Sequence, residues 1–449
     1  MTVGTELDPP SLSALLGHSW RSRWVPEYYR WYPKRLLAAP AEPFAVGPVE
    51  GIYVHVPFCD VLCPFCPFNR GLRGSIDLDE FVGRILAEAD LYRERGASGP
   101  ISFLYLGGGT PSVLEAGTLA RLVNGLASRF DLTGDCEISM EVHPFHATMA
   151  RVGEYRAVGA TRFSVGVQSF SDRRLRAVGS FHSAAESRSA AETVARLGRG
   201  AVDVLYRCRA DEPGDAVDDV RAAATYGVGH LSVYPLALAS DEGLPEVHEA
   251  LAAALAVEEA VGKLGFSHYA SCASGGFDYA LPGQTCRYEH RHWAAPQAEY
   301  LGLGPGAFGY VAGRTTVNTH RYSDYASAVG GGELPLAHVG VPSTAEAMRR
   351  FMAIGVKCLT LPLADFRARF HIDVADAFPD EIAMLGKLDL ALVEGGAFKL
   401  TSVGRYFVDQ VSEIFWSPEE REVPHPETGA LRVAESQQAA ARSAAQEGA

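Results

Sequence analysis

From Gly51 onward the chain repeats one pattern: a short run of β-branched and aromatic residues, a loop, then a longer stretch with apolar positions three and four apart. The short runs predict strands at 51–56, 101–106, 136–141, 162–166, 201–206 and 230–234. The longer stretches predict amphipathic helices at 79–94, 115–129, 148–158, 184–197 and 215–226. Six such units in series imply a parallel sheet with right-handed crossovers, and so an α/β fold. Beyond them, residues 343–416 predict a small unit: helices near 344–354 and 378–388, a hairpin over 392–401 and a last helix to Phe415.

The flanks differ in composition. Residues 1–20 are polar and small, which predicts a mobile end. Trp20–Pro43 is aromatic and basic (Trp24, Tyr28, Tyr29, Trp31, Tyr32, Lys34, Arg35), too apolar for a free tail, so it is expected to cover a barrel edge or lie over the active site. Residues 418–449 have few large apolar groups and are expected to be disordered. The chain thus divides into an extension (1–50), a barrel (51–245), a substrate-side region (246–342), the small unit (343–416) and a tail (417–449).

Charge narrows the partners. A net charge of -14 over 449 residues argues against nucleic acid, which needs a basic face. No run of eighteen apolar residues and no signal peptide is present, so a soluble, cytoplasmic protein without membrane contact is expected.

The chemistry begins in Tyr53-Val-His-Val-Pro-Phe-Cys59-Asp-Val-Leu-Cys63-Pro-Phe65-Cys66, just past the first strand. Three thiols spaced C-x3-C-x2-C are poor disulfide partners in a reducing compartment and good metal ligands. Zinc would want a fourth Cys or His nearby, and none follows closely. A cubane iron–sulfur cluster accepts three protein ligands and keeps one iron open.

This motif, with Phe65 before its last cysteine, resembles the radical S-adenosylmethionine (SAM) superfamily, and the longer string from Tyr53 resembles its oxygen-independent coproporphyrinogen III oxidase-like branch. The resemblance implies a partial (β/α)6 barrel with a C-terminal winged-helix-like unit. It also implies a [4Fe-4S] cluster on Cys59, Cys63 and Cys66, with SAM at the C-terminal ends of the strands beside Tyr53 and Phe65. A reductase- or flavodoxin-type electron donor is implied as well. Gly107-Gly108-Gly109-Thr110-Pro111 resembles the family loop that holds the amino-acid end of SAM, although consecutive glycines by themselves more often mark a tight turn. Glu141 resembles the acid that accepts from the SAM ammonium, with His143 where relatives usually have Asn. Arg162 to Phe170 resembles the family strand whose glutamine, here Gln168, meets the SAM ribose, and Asp203 is similarly placed for ribose hydroxyls.

Other positions depart. Relatives continue with Gly-Arg-x-His, whose Arg pairs with the SAM carboxylate, whereas this chain reads Gly179-Ser180-Phe181-His182. Arg207 or Arg209 is the expected substitute. Relatives read Cys-Arg-His-Asn-Leu-x-Tyr-Trp where this chain has Cys286-Arg287-Tyr288-Glu289-His290-Arg291-His292-Trp293. Glu289, His290 and His292 are therefore candidate acid/base or substrate-anchoring groups, the alternative being a solvated loop. Position 68, a further Cys in the oxidases, is Phe68, as in the heme-chaperone-like and methyltransferase-like branches. Together these departures lead to an expected two-SAM methyl transfer or cyclopropanation of a small or peptide-derived acceptor, with a heme chaperone or porphyrin-modifying enzyme as the alternative.

Overall fold

The structure, a computed structural model, describes residues 37–38, 44–66, 68–236, 244–272, 276–293, 298–340 and 342–417. The expectations for residues 1–20, for most of Trp20–Pro43 and for the tail lie outside them.

All six expected strands form: β1 (Gly51–Val56), β2 (Pro100–Gly108), β3 (Asp131–Val142), β4 (Arg162–Gln168), β5 (Arg199–Tyr206) and β6 (His230–Pro235). They pair in chain order, each parallel to the next. The helices between them are α1 (Leu78–Glu94), α2 (Ala116–Ala127), α3 (Met149–Ala157), α4 (Asp172–Val178), α5 (Ala184–Leu197) and α6 (Asp215–Thr225). Only α4 has no counterpart in the sequence pattern, being too short to show a period.

Local chemistry fixes these ends. Asp77 caps α1 by accepting from the backbone N–H groups of Asp79 and Glu80, and Ser183 with Glu186 forms a capping box on α5. Along α1, Phe81, Val82, Ile85, Leu86, Ala89 and Tyr92 make the apolar stripe that packs on the sheet. In β4 the alternation sorts the two faces: Phe163, Val165 and Val167 are fully buried in the core, while Arg162, Ser164, Gly166 and Gln168 face a cavity.

The sheet runs on beyond the six strands, to thirteen among the described residues. After α7 (Val247–Lys263), β7 (Ser267–Cys272) and β8 (Gly276–Ala280) extend it antiparallel beside β6. A helix, α8 (Arg287–Trp293), then leads to β9 (Tyr300–Leu303), which is parallel to β1 and so a seventh parallel strand. Next come β10 (Phe308–Val311), β11 (Arg314–Asn318), α9 (Tyr322–Gly330) and β12 (Leu336–Gly340), with Leu37–Ala38 pairing on the β12 edge.

One carboxylate ties this side to the barrel. Glu88 of α1, wholly buried, accepts from Gly304 N (2.8 Å), Asn318 Nδ2 (2.6 Å) and the Tyr325 hydroxyl (2.7 Å). Burial pushes its carboxyl up to about 7.

The C-terminal unit is a three-stranded antiparallel sheet of β13 (Thr360–Pro362), β14 (Ala391–Glu394) and β15 (Ala397–Leu400), with β15 central. Its expected last helix is two, Ser402–Tyr406 and Val408–Ile414, with a break at Phe407. A fully buried Lys357–Asp409 ion pair holds it together, and Arg405 reaches Glu258 of α7 at 2.7 Å. Among the described residues no helix is long and apolar enough to cross a membrane.

Candidate functional site

The inward faces of β1 to β6 surround one cavity of about 260 Å³. Its upper end lies at the C-terminal strand ends, where Cys59, Cys63 and Cys66 border it. Arg70 braces their loop, donating from one Nη to the Cys63 carbonyl (2.7 Å) and from the other to that of Phe68 (3.3 Å). The Tyr53 hydroxyl bonds His55 Nδ1 at 2.8 Å, and His55 Nε2 bonds the Asn69 carbonyl at 2.9 Å. A tautomer with the proton on Nε2 satisfies both contacts, donating to the carbonyl and accepting from Tyr53.

The thiols are chemically suited to a multi-iron cluster. Among the described residues no group of three or more Cys, His, Asp or Glu is gathered closely enough to hold a single metal ion. Three thiols at one end of a cavity fit a cubane, which takes one protein ligand on each of three irons, whereas a structural zinc takes four. Burial pushes Cys59 up to about 11 and Cys63 up to about 12, and raises Cys66 as well, so the free thiols stay protonated until metal displaces the proton. Thr110 Oγ1 donates to Cys59 Sγ at 3.2 Å.

The glycine loop has an internal reason for its composition. Gly108 has φ +115°, and a Cβ there would fall 2.7 Å from the His55 ring; one on Gly109 would meet the Val56–Pro57 backbone at 2.9 Å. The loop therefore crosses β1 in contact, and Gly109 N–H bonds the Val56 carbonyl at 2.8 Å. Gly108 N–H does meet a carboxylate, that of Glu141, at 3.2 Å. The other Glu141 oxygen accepts from the Tyr105 hydroxyl at 2.8 Å. Burial pushes Glu141 up to about 7. Gln168 lines the cavity with φ +61°, and Asp203, bonded by Ser164 Oγ at 3.2 Å, is pushed by burial to about 7. Phe65 also lines the upper end.

The remaining expected site residues divide. Helix α8 lies inside the curve of the sheet: Arg287 donates to the Ser102 carbonyl, and the Tyr288 ring stacks on Tyr53 and Tyr105 at 5.3 and 4.4 Å. Glu289 reaches the cavity from this helix. His290 does not; its ring lies 6.5 Å from Tyr269, and partial desolvation together with the charge of Arg291 lowers its pKa. His292 stacks under Tyr288 and borders a separate space of about 10 Å³. Positions 289 and 290 are about 100° apart on a helix, so the two side chains diverge. Arg207, at φ +56°, turns away and donates to the Pro245 carbonyl at 3.2 Å. The arginines that line the cavity are Arg70 and Arg162, neither of them expected as a ligand from the sequence. His55, Tyr105, His182 and His230 also line it and were likewise missed.

Residues 53–206 match the radical SAM superfamily. The chain is 30% identical over 284 residues to heme chaperone HemW of Escherichia coli K12, covering 59% of this chain and 71% of that protein. It is 30% identical over 324 residues to heme chaperone HemW of Mycobacterium tuberculosis H37Rv, covering 67% and 78%. The solved coproporphyrinogen III oxidase (HemN) of Escherichia coli superposes with a TM-score of 0.71 at 21% identity, covering 87% of this chain and 92% of that one, a likeness of fold. These relatives overturn the expected methyl transfer or cyclopropanation. Phe68 fitted two branches, and the altered Cys286–Trp293 segment weighed too heavily against similarity spread over hundreds of residues.

Proposed function

The chain belongs to the HemN/HemW-like family of the radical SAM superfamily, and we propose on that footing that it is a heme-handling protein of the chaperone type. Membership implies a [4Fe-4S] cluster and SAM. Cys59, Cys63 and Cys66 would hold the cluster, Glu141 would accept from the SAM ammonium, and Gln168 and Asp203 would face the ribose. When bound, these groups supply a low-potential electron and a cleavable sulfonium.

The observation that carries the heme reading is the rim of the cavity. Phe68, Phe145 and Phe181 are 41%, 40% and 55% exposed and form an aromatic group there. Phe68 lines the mouth, the Phe145 ring lies 4.7 Å from that of His143, and Phe181 sits between Ser180 and His182, which also line it. A cavity of about 260 Å³ is at the small end for ligand pockets and has no room for a macrocycle beside SAM. A planar apolar ring is instead accommodated on the aromatic rim, with its edge over the thiols.

Heme titration of the anaerobically reconstituted protein tests this. The expected result is a one-to-one complex with a shifted Soret band. Burying each phenyl ring is worth about 1.5–3 kcal/mol, so the F145S/F181S double variant should bind at least tenfold more weakly. An unshifted band at micromolar heme refutes the reading, and anaerobic turnover of coproporphyrinogen III would replace it with a porphyrin-modifying enzyme.

A further inference from the structure

The closed end of the cavity, below the SAM positions, holds a buried arginine. Arg162, the first residue of β4, is 2% exposed and lines the cavity. Among the described residues its side chain makes no hydrogen bond and no ion pair, and its Nε is buried without a partner. A buried guanidinium gains from a hydrogen-bonding partner at each of its donors.

No nearby acid forms an ion pair with it, although the charge of Glu137 favours the cation. Asp203 accepts from Ser164 Oγ at Oδ1 (3.2 Å), and Asp278 from Ser232 Oγ at Oδ1 (2.6 Å), while Asp278 Oδ2 is itself buried without a partner. Glu137 is taken by Arg199 (2.6 Å) and by the Arg287 N–H (2.8 Å). Glu289 also lines the cavity and forms no ion pair with Arg162. Burial favours the neutral acids at Asp203 and Asp278, which lessens their repulsion of an incoming anion.

A second donor stands close by. His230 opens β6, is 2% exposed, and lines the same cavity; only β5 separates its strand from that of Arg162. Its Nε2 lies 2.8 Å from the Tyr269 hydroxyl, and that hydroxyl already accepts from the Cys286 N–H at 3.2 Å. The tautomer in which the phenolic hydrogen goes to Nε2 leaves the ring proton on Nδ1, an atom with no partner. Two buried donors, one of them a charged fork, share the closed end.

We propose that Arg162 and His230 form a carboxylate-binding site at the closed end of the barrel, which takes the carboxylate of a compact organic acid. A planar monoanion matches the fork with two parallel bonds and leaves His230 a lone pair to meet. A phosphate would bring more charge than one guanidinium offsets among these acids. Six residues of strand separate Arg162 from Gln168, about 20 Å, so the acid sits below the SAM positions and away from the aromatic rim. The site does not depend on the heme reading.

The test is 19F NMR of trifluoroacetate added to the reconstituted, SAM-free protein, with competition by acetate, butyrate and chloride at fixed ionic strength. Saturable binding displaced by acetate and butyrate at least tenfold better than by chloride is expected. R162Q should weaken trifluoroacetate binding more than tenfold, and R162K, which keeps charge but loses the fork, should fall between. No saturable binding, equal displacement by chloride, or unchanged binding in a folded R162Q protein overturns the proposal. If R162Q fails to fold, the wild-type competition alone decides.

Discussion

Glu141 offers the sharpest test of the SAM site, because its environment makes ligand binding depend on pH in a defined direction. Without ligand its carboxyl is buried and pushed up to about 7, held by the Tyr105 hydroxyl and the Gly108 N–H. An ammonium can be accepted only by the ionised form. At one pH unit below 7 about a tenth of the carboxyl is ionised, so SAM affinity should fall about tenfold per unit on the acid side. On the alkaline side the limit is the ligand: an α-amino group loses its proton near pH 7.7–8.0, so the profile should peak between the two values. Replacing Glu141 by Gln keeps the shape but removes the charge. Losing a charge-assisted bond worth about 1.5–3 kcal/mol should weaken binding by about 10- to 150-fold at pH 7.5 and flatten the acid limb. The assay is anaerobic calorimetry of SAM binding from pH 5.5 to 8.5, with the cluster absorbance checked at each point. Asp203 is also pushed by burial to about 7 and faces the same cavity, so D203N serves as the control. An acid limb that survives in E141Q and disappears in D203N would refute the assignment of the ammonium to Glu141.

Two further outcomes concern the scaffold. G108A should destabilise the protein by about 1–3 kcal/mol, since it combines a φ of +115° with a Cβ 2.7 Å from His55; an unchanged urea midpoint would mean the loop relaxes freely. D409A should cost about 3–5 kcal/mol by removing the carboxylate of a buried ion pair, and K357M/D409L should recover most of it; a single variant as stable as the double would remove the ion pair's structural role.

The parallel strands were legible because each carries its own signal: β-branched residues, a turn, and an amphipathic helix to follow. The same alternation already separated Arg162, Ser164, Gly166 and Gln168 from their apolar neighbours, so the cavity face of β4 was readable in the sequence. Arg162 was passed over because an arginine at the start of a strand resembles a solvated end until the opposing strands are in place. The seventh parallel strand was not legible, since β9 meets β1 from almost 250 residues away and nothing local records that pairing. The placement of α8 inside the sheet was hidden for the same reason, and with it the divergence of Glu289 from His290. Arg207 was a reasonable substitute for the missing family arginine by position alone; its positive φ sends it elsewhere.

Helix α8, packed inside the sheet beneath Tyr53 and Tyr105, turns the barrel into a vessel loaded from the thiol end. On the proposed placement of SAM, a molecule bound near Arg162 would have to arrive before SAM and to wait for SAM or its fragments to leave. Binding would then be a stack, last in and first out. The order in which ligands are presented decides which complexes form at all, and mixing order becomes an experimental variable alongside concentration.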